Sequence, residues 1–374
     1  MSWFSDWTLD YHLSREEFLI IAIAVGLLLV GFAFIILLFA SRIVKSHFQD
    51  KKKKFKSRTQ KILNALVINE TFSTKEKFDS VFEYRMTELR HVLKSSNFAR
   101  QVLIDQILEL KKNLTGGAVR VLTASYFALE LEKLSLKKLK RHAWRKKALG
   151  LRELSEMHFH AAIPLISKFI HSTNQTLREE SVMALVRFNT EKSFQFLDYY
   201  TGEITPWMQI NIHHYLQKSD LRKLPQFNQW FSSKNVSVVL FSINMAKHFR
   251  QSSAIPHLLP LCYHPDKKVA TEAIESLGEL EAFENRVQLI KLTPTYWEDA
   301  DISAKILQSL GKIGDPYEDT HIILEFLNHQ NYDVRFEAVR TLKTLGLTDD
   351  RILSNTARNG IAGIIDHTAD PLMQ

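Results

Sequence analysis

Only one cysteine, Cys262, stands in this chain of 374 residues. No disulfide can form within the molecule, so nothing points to an oxidising compartment. Cys262 lies in the apolar run "LLPLCYH", where a buried core thiol is expected. Glycine and proline are also scarce, at 12 and 9 residues. That excludes a fold built on many tight turns and favours long stretches of helix. Catalytic signatures are missing too. There is no phosphate-cradling Gly-rich loop, no G-x-S-x-G, and no Cys–His candidate beyond the isolated Cys262. His158 and His160 are two apart and His213 and His214 adjacent. On a helix each pair points to different faces, which is poor geometry for a metal. No cofactor and no metal are expected.

One stretch lacks charge altogether. Phe18 to Ala40, "FLIIAIAVGLLLVGFAFIILLFA", is 23 residues without a charged or strongly polar side chain. As a helix it would reach roughly 34 Å, enough for a hydrocarbon core of about 30 Å. The run exceeds the h-region of a cleaved signal, and the segment before it is aromatic and acidic rather than short and basic. An uncleaved transmembrane helix over 18–40 is the expectation. Trp3, Phe4, Trp7 and Tyr11 precede it as interfacial aromatics would.

Charge around the run is lopsided. Residues 1–17 carry a net −3 and residues 41–61 a net +8, so a chain of +8 leaves only +3 for residues 62–374. The positive flank belongs in the cytoplasm. The expected protein is therefore single-pass in the cell (inner) membrane, with a short extracytoplasmic tail (1–17) and a cytoplasmic C-terminal part. The excess lies beside the membrane rather than over the folded part, so nucleic acid is not an expected partner. Within the basic juxtamembrane segment (41–61), Lys51, Lys52, Lys53, Lys54, Lys56 and Arg58 are candidate contacts to anionic lipid. A second basic cluster, "LKKLKRHAWRKKALG" over residues 136–150, reads as a solvated helix face, the alternative being a patch that binds lipid or an acidic partner.

Residues 62–141 read as a helical stem or atypical first repeats. One helix starts near Ser73 and Glu76, in capping-box spacing, and carries Phe78, Val81, Phe82, Met86, Leu89 and Leu93 on one face. A second fits Phe98 to Lys112. Gly116-Gly117 breaks the chain before a third, Ala118 to about Leu134.

Beyond that the chain repeats itself. Asn328 to Gly346, "NHQNYDVRFEAVRTLKTLG", has the shape of Tyr263 to Glu281, "YHPDKKVATEAIESLGELE". An apolar residue followed by small or apolar ones four and eight later recurs as Leu177/Ser181/Leu185, Met208/Ile212/Leu216, Val238/Ser242/Ala246, Val269/Ala273/Leu277, Ile302/Ile306/Leu310 and Val334/Ala338/Leu342. A weaker start lies at Trp144 with Ala148. The period in the low thirties predicts about seven helix–turn–helix units over 142–358, followed by a tail over 359–374. "AAIPLISKFI" and "SAIPHLLPLC" are matching second helices, with Pro164 and Pro256 in a first turn. His264 and His329 fall in turns, where they are expected to order the turn by hydrogen bonding.

Asn331 to Gly346, with Asp333-Val334-Arg335, Ala338 and Leu342, resembles a HEAT repeat of the short bacterial type. The resemblance covers about residues 142–348. It implies an all-α fold: an α-solenoid of HEAT-like repeats in a right-handed superhelix, its second helices lining the concave face. Such arrays are mostly protein-binding scaffolds. Helical-repeat hydroxylases of this fold hold a di-iron site with His-Glu dipeptides, but none of the 15 His here is followed by Glu. The expectation is a non-enzymatic scaffold or adaptor for a protein partner at the inner face of the membrane. The alternatives are a lyase-like enzyme on the same repeats, or an accessory subunit of a transport or polysaccharide-synthesis complex. Tyr199, Tyr200, Gln226, Gln229, Trp230 and His257 would form the partner-binding stripe, the alternative for Trp230 being that it fills the interface between units.

Overall fold

The structure, a computed structural model, describes residues 15–72, 75–93, 96–188, 193–217, 224–354 and 361–368. All regular elements among them are helices, grouped into two compact units, residues 1–134 and 135–374. The tail residues 1–14 and the expected cap Ser73 lie outside the described residues.

In the first unit, α1 (Arg15–Phe72) is one helix of 58 residues. Its apolar half is long enough and apolar enough to cross a membrane, with a mean hydropathy of 3.0 in its richest window and no part of that window buried. The exposed apolar side chains continue past residue 40 to Ile43 and Val44, the latter 68% exposed. No break marks residues 40, 41 or 61, so the basic segment is not a separate linker. It is the middle of α1 and already packs. Its far half forms a bundle with α2 (Lys75–Leu93), α3 (Asn97–Asn113) and α4 (Gly117–Ala128). Leu63, Leu66, Met86, Leu89, Leu103, Ile107 and Leu122 are fully buried there. A polar layer crosses this core. Gln106 is buried; its amide donates to the Lys56 carbonyl at 2.9 Å and to Gln60 Oε1 at 3.2 Å, and it accepts from the Thr59 hydroxyl. A polar layer of this kind fixes register, because any slip strands a buried amide. The third stem helix stops earlier than expected. Glu130 takes a left-handed φ of +53°, so α4 ends at Ala128 and α5 (Leu131–Leu139) follows as a separate helix. The unit boundary falls inside α5 rather than at residue 141.

The second unit alternates long and short helices: α6 (Trp144–Glu156), α7 (Ile163–Ser167), α8 (Gln175–Arg187), α9 (Pro206–Gln217), α10 (Val236–His248), α11 (Ile255–Leu261), α12 (Lys267–Glu279), α13 (Arg286–Ile290), α14 (Thr293–Tyr296), α15 (Ala300–Ile313), α16 (Thr320–Glu325), α17 (Tyr332–Thr344), α18 (Asp349–Ser354) and α19 (Ile361–Thr368). The long ones, α6, α8, α9, α10, α12, α15 and α17, are the expected first helices. All six full triplets of the repeat template are buried in them. The weak first start is two residues out of register. Trp144 is 37% exposed, while Gly150 and Leu154 occupy the places of Ser181 and Leu185. Second positions hold short helices or single 3-10 turns such as Gln195–Asp198 and Phe227–Trp230.

Each unit is closed by local chemistry. Asn174, Asn235, Asp266, Asp299 and Asn331 cap α8, α10, α12, α15 and α17 by accepting from backbone N–H groups. His264 and His329 each accept through Nδ1 from the N–H of the cap residue, at 3.0 Å. Ser172 and Ser233 do the same with a hydroxyl, at 3.2 Å. At the other ends, His158, Arg250, Glu281 and Gly346 turn left-handed with φ between +51° and +88°. The paired bonds Phe159 N–H to Leu154, Gln251 to Ala246, Ala282 to Leu277 and Leu347 to Leu342 complete Schellman closures.

Neighbouring long helices approach closely. A Cβ on Gly278 of α12 would lie 2.9 Å from Ser309 Cα of α15. Ser309 Oγ donates to the Ile274 carbonyl, and one repeat later Thr341 Oγ1 donates to the Leu307 carbonyl, both at 2.9 Å. Two expectations need correction. Residues 359–374 are not simply a tail: α19 buries Ile361, Ile364 and Ile365, and its His367 pairs with the Tyr332 hydroxyl of α17 at 2.7 Å. Residues 359, 360 and 369–374 lie outside the described residues. Nor is the second basic cluster wholly solvated. Lys138 is buried against the Glu153 carboxylate, which also accepts from Ser135 at 2.5 Å.

Candidate functional site

The expected stripe divides in two. Tyr199, Tyr200, Gln229 and Trp230 line one groove of about 880 Å³, together with Asp198, Lys234 and others. Its walls are the 3-10 turns Gln195–Asp198 and Phe227–Trp230, whose single-turn length brings their ends side by side. Gln226 and His257 fall outside this lining. They sit exposed in a separate polar row, where Ser253 Oγ donates to Gln226 Oε1 at 2.6 Å and Asn228 Nδ2 meets His257 Nδ1 at 3.2 Å.

Two members of the stripe are core rather than surface. Trp230 is buried against Phe194 and Phe227, and its indole N–H donates to Asp198 Oδ1 at 2.7 Å. Tyr200 is buried edge-on to Phe196, and burial pushes its hydroxyl above the ordinary tyrosine range. A 3-10 turn aligns residues three apart, so Phe227 and Trp230 point inward together. Tyr199 remains available, 48% exposed, as does Gln229, whose amide folds back onto the Gln226 carbonyl at 2.9 Å.

A second groove of about 510 Å³ lies between α9 and α10, lined by Gln209, Ile210, His213, Asn244, Lys247 and His248 among others. Its central pair, 35 residues apart in the chain, carries no local sequence sign. His213 and His248 meet edge to face with ring centroids 3.6 Å apart, and both rings lie near Phe249. Desolvation holds both below the ordinary histidine range; the charge of His248 adds to this at His213, and that of Lys247 at His248. Ile210 in the groove's lining and Trp207 of α9 beside it stand exposed. Elsewhere the long helices are tied by ion pairs. Glu180 of α8 holds Arg152 of α6, and Glu275 of α12 lies between Lys247 of α10 and Lys305 of α15.

Neither groove converges on a nucleophile with an adjacent base. Cys262 is buried and its thiol is pushed up to about 12, chiefly by burial. Among the described residues, no three His, Cys, Asp or Glu side chains come together as a metal site. What the grooves offer is contact: an exposed tyrosine ring, amides and a lysine.

The expected lipid-binding row on α1 also divides. Lys52 pairs with Asp105 of α3 at 3.5 Å and Lys56 with Glu109 at 2.7 Å, so these two lysines are engaged within the bundle. The Lys56 hydrogen bond and charge hold Glu109 below the usual carboxylate range. Among the described residues, Lys51, Lys53, Lys54 and Arg58 have no salt-bridge partner. At about 1.5 Å per residue, Arg58 stands roughly 21 Å beyond Val44, past a headgroup layer of about 5–8 Å. Lys51 stands about half as far out.

Compared with protein-family models and with curated proteins, the chain matches none. Solved structures match weakly. One engineered protein aligns at TM-score 0.31 and 13% identity, covering 75% of this chain and 72% of its own. A second aligns at 0.25 and 12%, covering 70% and 96%. The complex of CpcE and CpcF of phycocyanin lyase from Nostoc sp. PCC7120 aligns at 0.25 and 14%, covering 72% and 94%. Likeness of this size carries no argument, and the helical repeat stands on the chain's own geometry.

Proposed function

We propose that the chain is a single-pass membrane protein whose HEAT-like α-solenoid is a scaffold for a protein partner at the inner face of the membrane. The reading is carried by the apolar half of α1. More than a dozen large apolar side chains between Ile20 and Val44 are exposed, and nothing among the described residues of the unit covers them. At roughly 1.5–3 kcal/mol for each such side chain taken out of water, a bilayer is their natural solvent. The +8 flank after the run supports a cytoplasmic location for the repeats. Two open grooves without convergent catalytic groups favour a docking surface over an enzyme.

Topology tests it. Thr8→Cys and Thr173→Cys are made separately and intact cells are treated with an impermeant maleimide. The native thiol is buried and stays silent. The residue-8 variant labels at once, whereas the residue-173 variant labels only after lysis. Labelling at 173 in intact cells, or extraction of the protein from membranes by alkaline carbonate, sinks the reading.

A further inference from the structure

The end of the α1–α4 bundle that faces the apolar run has a chemistry of its own. α3 runs parallel to α1, as Phe48 against Phe98, Lys52 against Asp105 and Lys56 against Glu109 show in order. The start of α3 therefore points toward the span. The ends of α2 and α4 meet at the same level. Arg90 in the last turn of α2 donates to the Ala128 carbonyl at the end of α4, at 3.1 Å. Arg90, Arg100 and Lys133 all act on Glu130, which Lys133 above all holds below the usual carboxylate range. The Lys51 ammonium lies 5.9 Å from the centre of the Phe98 ring. Four elements thus bring Lys51, Arg90, Arg100 and Lys133 to one end, where the carboxylates of Asp50, Glu130 and Glu132 offset only part of their charge. Phe48 is exposed and packs edge-on to Phe98 at 4.6 Å.

Height decides what this end meets. Phe48 is four residues beyond Val44, a rise of about 6 Å, which is the depth of a headgroup layer. Because α1 does not break between the two, the bundle cannot swing away from that level. On the membrane reading proposed above, we infer that the span-facing end of the bundle rests on an anionic phospholipid surface. Arg90, Arg100 and Lys133 meet the phosphates, Lys51 reaches back toward them along its own side chain, and Phe48 and Phe98 enter the interface. Positive charge in excess on the leaflet-facing end is what anionic headgroups attract, and the attraction weakens with salt. Aromatic rings at the same depth suit the interface.

The test uses the full chain, reconstituted into vesicles of phosphatidylcholine alone or of phosphatidylcholine with phosphatidylglycerol. Each preparation carries a trace of nickel-chelating lipid. A spin label goes at exposed Asn97, beside Phe98, or at Asn113, at the other end of α3. The label at 97 should be relaxed several-fold more by headgroup nickel than the label at 113. The difference should grow with phosphatidylglycerol and shrink in the Arg90→Glu, Lys133→Glu double variant, whose two positions are exposed and outside the core. Equal relaxation at both sites in inserted protein overturns the inference alone and leaves this end for a protein neighbour. So does a difference indifferent to lipid charge and to the double variant. Failure of the chain to insert at all overturns the membrane reading and this one with it.

Discussion

At the scale of single residues, the left-handed closures are the places where the chain departs most from what its side chains prefer. Glu281 holds φ +57° at the end of α12 with an ordinary Cβ, where α17 uses Gly346. That conformation costs an L-residue about 1–2 kcal/mol, part of which glycine gives back as unfolded-state entropy. The Glu281 carboxylate meets Arg250 at 3.5 Å with both side chains largely exposed, a pair worth little. Glu281→Gly should therefore stabilise the detergent-solubilised protein by about 0.5–1 kcal/mol, seen as a raised thermal midpoint. Glu281→Ala keeps the Cβ and should not. Equal behaviour of the two variants would mean that the closure carries no strain.

At the scale of elements, the long helices were legible in the sequence and the short ones were not, for a physical reason. A long helix of three turns or more shows its buried face as a period, and Val269, Ala273 and Leu277 are enough to find it. A single 3-10 turn shows no period. Tyr200 therefore passed for a surface anchor, and Trp230 stayed open between anchor and core, although Phe194, Phe196 and Phe227 enclose them. The pairing of α1 with α3 was invisible because its ion pairs join residues 53 apart. The turns carried a readable sign that composition hides: Ser172-x-Asn174, Ser233-x-Asn235, His264-x-Asp266 and His329-x-Asn331 are one motif, a side-chain acceptor two residues before a cap. The histidine pair across α9 and α10 makes a prediction at this scale. His213 and His248 are both held below the ordinary value, so the unfolded chain binds protons more readily than the folded one. Their contribution is then full above about pH 6.5 and is lost as pH falls through that value toward the lowered folded ones. The thermal midpoint should drop between about pH 7.5 and about pH 5.5, and His213→Phe should flatten that drop. An unchanged slope would remove the pair from any account of acid sensitivity.

At the scale of the whole molecule, the scaffold reading predicts that binding and stability separate. Tyr199→Ala with Gln229→Ala removes the two members of the expected stripe that stand exposed in the larger groove, so the melting temperature should move by no more than an exposed substitution allows, about 0.5 kcal/mol. Whatever cross-links to the protein in membranes should nevertheless be recovered in smaller amount. A fall in stability matching the fall in recovery would make Tyr199 a packing residue. Unchanged recovery would move the partner to the exposed Trp207 and Ile210 at the histidine groove.

The unbroken passage of α1 from its apolar half into the bundle fixes something that a flexible linker would leave free: rotational phase. A side chain facing a given neighbour in the bilayer is locked in azimuth to a given face of the bundle beneath it. One alanine inserted after Val44 turns the two halves relative to each other by about 100°, whereas seven turn them by only about 20°. If a partner reads both halves at once, the single insertion should abolish its recovery from cross-linked membranes and the longer one should restore most of it. Equal recovery with both would show that the two halves are read separately, and that α1 serves only as a tether.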